Sequence, residues 1–267
     1  MCDDDMSESA VEFQHVSLRF RIFAEQGINS FKEWAIRWIT RRVRYRELVA
    51  LSDVSFSVAA GHTVGIVGHN GAGKSTLLRV AAGILRPTGG TAIVRGRQAP
   101  VIELGLGFEA ELSGRENIYF NGALLGRSPA EMEQRLEEIV AFADLHEFID
   151  QPIRTYSTGM VARLAFAVAT TVDAQILLLD EVLAVGDASF RIKCQDRLSA
   201  FRDAGVAILL VTHDLDAVET ICDEALWLDK GVVRAFGSAP EIVARYKESV
   251  AEGPTVGGAI ESTTFQG

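Results

Sequence analysis

The run Gly68-His-Asn-Gly-Ala-Gly-Lys-Ser-Thr76 constrains the fold of this chain more than any other stretch. It follows the apolar segment "HTVGIV" and precedes a helical pattern from Ser75 to Ala82, stopped near Gly83 with Pro87 just beyond. The spacing G-x-x-x-x-G-K-[ST], set between a strand and a helix, is that of a main-chain cradle for a polyphosphate. Several N–H donors must converge on the phosphates, and glycine lets the backbone wrap that closely. The helix presents its positive end to the anion. Gly68, Asn70, Gly71, Gly73, Lys74, Ser75 and Thr76 are therefore the candidate nucleotide-binding residues. Lys74 is placed to put a charge between the β- and γ-phosphates, and the Ser75 hydroxyl to ligate Mg²⁺.

A second signal lies downstream. "ILLLDE" ends an apolar strand in Asp180 and Glu181. Strand carboxyl ends line the ligand crevice of an open parallel sheet. Two carboxylates on a buried strand are costly unless they meet a cation or a proton. Asp180 fits an outer-shell partner of Mg²⁺, and Glu181 fits the residue that orients and deprotonates an attacking water. The plain alternative is a pair that caps the strand in solvent. His213, in "VTHD" at the end of the next strand, is placed to touch the γ-phosphate; a lone histidine is otherwise structural. Glu181, His213 and Lys74 form the candidate catalytic set.

The remaining punctuation predicts an α/β chain. "ALSDVSFSV" (Ala50 to Val58) alternates as a half-buried strand, and "TAIVRG" is a short one. "QILLLDE" and "VAILLVTHD" are continuous apolar runs of the parallel-sheet kind. Ser128-Pro-Ala-Glu131 is a capping box with proline at the first helical position. Met160 to Thr170 is small and apolar at helical spacing. "ALWLDKGVVRAFG" predicts a hairpin turning at Asp229-Lys-Gly231, and Ser238-Ala-Pro-Glu241 begins a last helix. After Glu252 the chain becomes Gly/Thr/Ser-rich, a loose tail.

"RTYSTGMVARLAFAVAT" completes the pattern, with Ser157 lying 23 residues before Asp180. Phosphate loop, signature, acidic strand and switch histidine, in this order, resemble the ATP-binding cassette (ABC) transporter ATPases over roughly residues 10 to 245. The resemblance implies a P-loop ABC nucleotide-binding domain: a mixed β core, an antiparallel β subdomain and an α-helical signature subdomain. It implies ATP and Mg²⁺ as cofactors. It also implies a homodimer in which Ser157 and Gly159 reach the γ-phosphate held by the other copy. "YSTGM" stands where most of the family has LSGGQ, so Thr158 and Met160 depart from the pattern. "AVGD", ending at Asp187, stands at the family's dimer-contacting loop. Adenine stacks on an aromatic residue near the first strand of such domains; Phe20 in "VSLRF" fits, and Tyr45 competes.

"ELGLGFEAELSGRENIYFNG" and "DEVLAVGDASF" resemble the subfamily that exports O-antigen, capsule or teichoic-acid chains carried on a lipid. The partners so implied are a transmembrane permease and a lipid-linked polysaccharide, with the ATPase peripheral on the cytoplasmic face of the inner (plasma) membrane. No glutamine occurs between Val101 and Asn117, so Glu103 takes the place of the family's metal- and permease-sensing Gln. A carbohydrate-binding domain after the ATPase is not expected in a chain of 267 residues. A soluble cassette ATPase of DNA repair or translation is one alternative, but it usually needs a coiled-coil insertion or a second cassette; an ABC exporter of another substrate and a non-hydrolytic nucleotide switch or membrane-bound scaffold, which Glu181 argues against, are the others.

Relatives pass from the first strand to "LxDVSF" in a few residues, whereas here Arg21 to Glu47 intervene. Between Ser30 and Arg46 the segment holds six basic residues (Lys32, Arg37, Arg41, Arg42, Arg44, Arg46) against Glu33, with Trp34 and Trp38. The formal charge of the chain is −10, so the rest sums to −10 − (6 − 1) = −15. Ser30-Phe-Lys-Glu33 is a capping box, which predicts an amphipathic helix over about 29–46 inside a 10–248 ATPase domain, with 249–267 as tail. Tryptophan with arginine suits a membrane–water boundary. The resembled exporters carry such a helix beside the membrane, facing permease and glycolipid head group. A helix packed on its own domain and a nucleic-acid patch are the competing readings, the latter disfavoured by the net charge. Cys2, Cys194 and Cys222 lack CxxC spacing, which implies a reducing compartment and no metal site. No apolar run reaches the length of a spanning helix.

Overall fold

The computed structural model describes residues 9–23, 45–102, 107–171, 173–181 and 187–251. Strands β1 (Val11–Phe23), β2 (Tyr45–Val58) and β4 (Gly89–Val94) form an antiparallel sheet in the order β2-β1-β4. Phe13, Val16 and Leu18 on β1 and Leu51, Val54, Phe56 and Val58 on β2 are buried between exposed neighbours, as a one-sided sheet requires. The β1–β2 pairing runs from Val11↔Val58 out to Phe23↔Tyr45. Strand β2 thus begins well ahead of the Ala50 expected from the sequence. Tyr45 and Arg46, expected at the end of the inserted helix, are strand: cross-strand pairing overrides the helical pattern there. The rest of that expected helix, 29–44, lies outside the described residues.

The second sheet contains β3 (Thr63–Val67), β5 (Gln98–Val101), β6 (Ile176–Asp180), β7 (Ala207–Val211), β8 (Glu224–Asp229) and β9 (Val232–Ser238). Its order is β5-β6-β7-β3-β8-β9; every neighbouring pair is parallel except β8–β9, the expected hairpin. The turn carries Lys230 at φ 48° and Gly231 at φ 78°. Two positive φ values in succession are the primed-turn geometry that matches strand twist.

The apolar runs read as buried on both faces because they are. Ile176, Leu178 and Leu209 face a core shared with Leu77 and Leu78 of helix α1 (Lys74–Ala81) and with the antiparallel sheet. Leu177, Leu179, Ile208 and Leu210 face the opposite core. That core is closed by helices α4 (Thr158–Thr171), α5 (Ala188–Asp203), α6 (Leu215–Ile221) and α7 (Ala239–Ala251). Helix α7 runs past the expected domain boundary at 248.

Helices α2 (Gly114–Leu124) and α3 (Pro129–Ala143) join α4 in a helical lobe around Ile118, Met132, Ile139, Leu164 and Val168. Both begin with completed capping boxes, Ser113 with Glu116 and Ser128 with Glu131. Asn117, fully buried, pins the preceding loop: its Oδ1 accepts from Glu109 N at 2.7 Å. Its Nδ2 donates to the carbonyls of Glu109, Leu112 and Ser113 at 3.0, 3.1 and 2.9 Å. Phe142 of α3 stacks on Phe166 of α4 at 5.8 Å and meets Phe190 of α5 edge-on at 5.6 Å, tying lobe to sheet.

Candidate nucleotide site

Strands β3, β6 and β7 are parallel, so their carboxyl ends lie on one edge of the sheet. That edge gathers the phosphate loop after Val67, Asp180 and Glu181 after Leu179, and His213 after Thr212. The sequence separates the phosphate loop from the other two by more than a hundred residues; the β6-β7-β3 order brings them together.

The loop is built against the hairpin. Gly68 has φ 151°, and a Cβ there would run into the Leu228 carbonyl oxygen. Gly73 has φ 106° and is the N-cap of α1; a Cβ would stand 2.7 Å from the Ala50 carbonyl oxygen. Close approach and left-handed backbone together leave glycine as the residue for both. Gly231 N donates to Ala72 O at 2.8 Å, closing the outer side.

Lys74 is buried and folds back, donating from Nζ to Gly68 O at 2.7 Å and His69 O at 3.1 Å. Burial pushes its ammonium below the ordinary lysine value, while the carboxylates of Glu181 and Asp180 oppose that shift. Burial likewise raises the Asp180 carboxyl; a Ser75 hydrogen bond draws it back, and the Glu181 charge adds to the rise. Asp180 Oδ1 is buried and has no hydrogen-bond partner among the described residues. An unsatisfied carboxylate oxygen beside a serine hydroxyl, both hard donors, is the composition a Mg²⁺ site requires. The residues present fit that ion.

Glu181 takes the left-handed conformation, φ 55°, and its N–H donates to Val211 O at 2.8 Å. A non-glycine residue there costs about 1 kcal/mol. The bend brings its Oε1 to 2.8 Å from His213 Nε2, both side chains about half exposed. The sequence marks both residues as strand ends but carries no sign of this pairing.

A cleft of about 290 Å³ is lined by Phe20, Leu48, Val49, Asn70, Gly71, Gly73, Lys74, Ser75, Thr76 and Glu181. Phe20 pairs with Leu48 across β1–β2, so the aromatic wall comes from the antiparallel sheet. Tyr45, paired with Phe23 at the other end of the ribbon and half exposed, lines none of it.

Ser157 and Gly159 line none of it either. Ser157 is exposed at the start of α4, where its Oγ accepts from Met160 N at 3.2 Å. Glu103 and residues 182–186 lie outside the described residues; Asp187 caps α5 through Phe190 N at 2.9 Å. Burial raises the thiols of Cys194 and Cys222 to about 12, which makes them inert core side chains. Among the described residues no helix is long and apolar enough to cross a membrane.

With this architecture and site, the ABC transporter family description matches residues 51–184, and the chain belongs to the ABC transporter family as an ATPase. It is 49% identical over 246 residues to the O-antigen export system ATP-binding protein RfbB of Klebsiella pneumoniae, covering 91% of this chain and 100% of that protein. It is 37% identical over 238 residues to the teichoic acids export ATP-binding protein TagH of Bacillus anthracis, covering 89% of this chain and 42% of that one. A solved structure of the dimeric ATP-binding cassette MJ0796 bound to ADP and Pi superposes with a TM-score of 0.69 at 21% identity. That superposition covers 86% of this chain and 98% of the other, and shows the fold.

Proposed function

We propose that this ATPase powers export of a lipid-linked surface polysaccharide through a separate transmembrane permease, working as a homodimer on the cytoplasmic face of the inner membrane. The identity to O-antigen and teichoic-acid export ATPases, sustained over about nine-tenths of the chain, carries the substrate class. The O-antigen, capsule and teichoic-acid classes share a long glycan on a lipid carrier, and the sequence motifs do not choose among them.

The residues divide the work as follows. Adenine stacks on Phe20 at the apolar end of the cleft. Main-chain N–H groups from Gly68 to Thr76 hold the phosphates, and Lys74 Nζ turns from the Gly68 and His69 carbonyls to the β- and γ-phosphates. Ser75 and Asp180 would hold Mg²⁺, which when bound neutralises phosphate charge. Glu181 takes the proton of the attacking water, and His213 holds the Glu181 carboxylate in place. Ser157 and Gly159 point this helix end at the γ-phosphate in a second copy, which accounts for their lying away from the cleft of their own chain. Arg41, Arg42 and Arg44 are assigned, on sequence, to the permease and the glycolipid head group.

The test is genetic replacement by Glu181→Gln in the producing cell. Full-length lipid-linked glycan should accumulate inside while surface glycan is lost. Normal surface glycan with a hydrolysis-dead protein would refute the proposal.

A further inference from the structure

His69 stands at the first unspecified place of the G-x-x-x-x-G-K-[ST] spacing and lines none of the cleft. Its ring is nevertheless engaged on both sides. Nδ1 lies 2.6 Å from the Asn70 carbonyl oxygen, and Nε2 lies 2.8 Å from Asp229 Oδ1 in the β8–β9 turn. Both partners are acceptors, one a main-chain carbonyl and the other a carboxylate. A neutral imidazole has a single N–H and can serve one of them; an imidazolium has two and serves both.

The surroundings keep Asp229 an acceptor. Arg234 donates from Nε and Nη2 to Asp229 Oδ2 at 3.0 and 2.8 Å. Partial burial works to raise the Asp229 carboxyl, but the bonds from Arg234 and His69 outweigh it and hold it below the ordinary aspartate value. The other charged or titratable groups near this contact are Lys74, whose Nζ donates to His69 O, and exposed Lys230, the chain neighbour of Asp229. Tyr246 of α7 is also near; burial first, and the Asp229 charge second, raise its hydroxyl. The same turn braces the loop through Gly231 N on Ala72 O, and Leu228 packs under Gly68.

We infer that His69 is a positioning residue of the phosphate loop, a cross-brace that ties the Asn70 turn to Asp229 of the hairpin. The inference rests on the reading of residues 68–76 as a triphosphate cradle. The brace orders the loop before nucleotide arrives, so that its N–H groups need not be ordered at the moment of binding. Loss of the ring leaves the Asn70 carbonyl and the Asp229 carboxylate without their histidine contacts, and the loop loosens.

Side-chain nitrogen NMR on the full-length protein tests the brace directly. The Nε2 resonance of His69 should move in Asp229→Asn, which weakens its acceptor. MgATP titration of the same protein tests the consequence. His69→Ala should raise the Kd about three- to tenfold, and His69→Arg, whose guanidinium can donate to both acceptors, should recover most of it. A His69 Nε2 resonance that Asp229→Asn leaves in place, or a His69→Ala Kd within about twofold of the wild type, would overturn the inference. The cradle reading is judged separately: Lys74→Ala should lose MgATP. A wild type that binds no MgATP would remove the cradle, leaving the NMR to decide the brace.

Discussion

Glu181 Oε1 sits 2.8 Å from His213 Nε2, across the ends of adjacent parallel strands β6 and β7. The contact depends on the left-handed bend at Glu181, which the Glu181 N–H to Val211 O bond holds. Removing the basic carboxylate while keeping its shape isolates its role. Glu181→Gln should lower ATP turnover at least about 100-fold, the range of general-base catalysis, and leave ATP affinity within about threefold. Phosphate-release kinetics and nucleotide titration measure the two; undiminished turnover would remove Glu181 from the chemistry.

Asp180 carries a cost in the nucleotide-free protein, because its Oδ1 is buried without a partner among the described residues. Burial is also the main reason its carboxyl is raised. The sign follows: a raised folded-state value favours the protonated protein, a contribution present at low pH and lost as pH rises through that value. Asp180→Asn should therefore raise the melting temperature of the metal-free protein at neutral pH by about 2–4 °C, equivalent to about 1 kcal/mol, with a smaller gain in acid. The same variant should lose Mg²⁺-dependent hydrolysis. Calorimetry with and without Mg²⁺ checks both; a lower melting point would contradict the reading.

Phe20 and Tyr45 compete for adenine in the sequence, and of the two Phe20 lines the cleft. Phe20→Ala should weaken ATP binding about tenfold, the value of one stacked aromatic pair. Tyr45→Ala should change it less than about twofold. The reverse ranking would place the base elsewhere.

Asn117 satisfies four main-chain groups of the loop before α2 from a fully buried position. Asn117→Ala should destabilise the protein by about 2 kcal/mol, since Glu109 N loses its partner and the Glu109, Leu112 and Ser113 carbonyls are left to the main-chain donors of Leu112, Ile153 and Asn117. Denaturant unfolding measures it, and a loss below about 1 kcal/mol would mean the loop finds other partners.

The parts of this molecule that were legible in the sequence are those whose physics is local. Gly68 to Thr76 announces its turn by glycine spacing, Ser128 to Glu131 carries its cap within four residues, and "ILLLD" reads as a strand buried on both faces. The capping box Ser113 to Glu116 was equally local and would have given α2. Cross-chain pairing was not legible: β2 extends to Tyr45 because β1 supplies hydrogen bonds as far as Phe23. His69 and Asp229 are 160 residues apart, and their contact follows from β8 lying beside β3. No local pattern encodes that adjacency.

In the proposed homodimer, Ser157 of a second copy completes the cleft around Lys74. Light scattering on size-separated Glu181→Gln protein tests it most directly. With MgATP the mass should double, and adding Ser157→Arg should return it to that of one chain while nucleotide stays bound. Glu181→Gln protein that holds MgATP as a single chain, or pairing that Ser157→Arg leaves intact, would contradict the account.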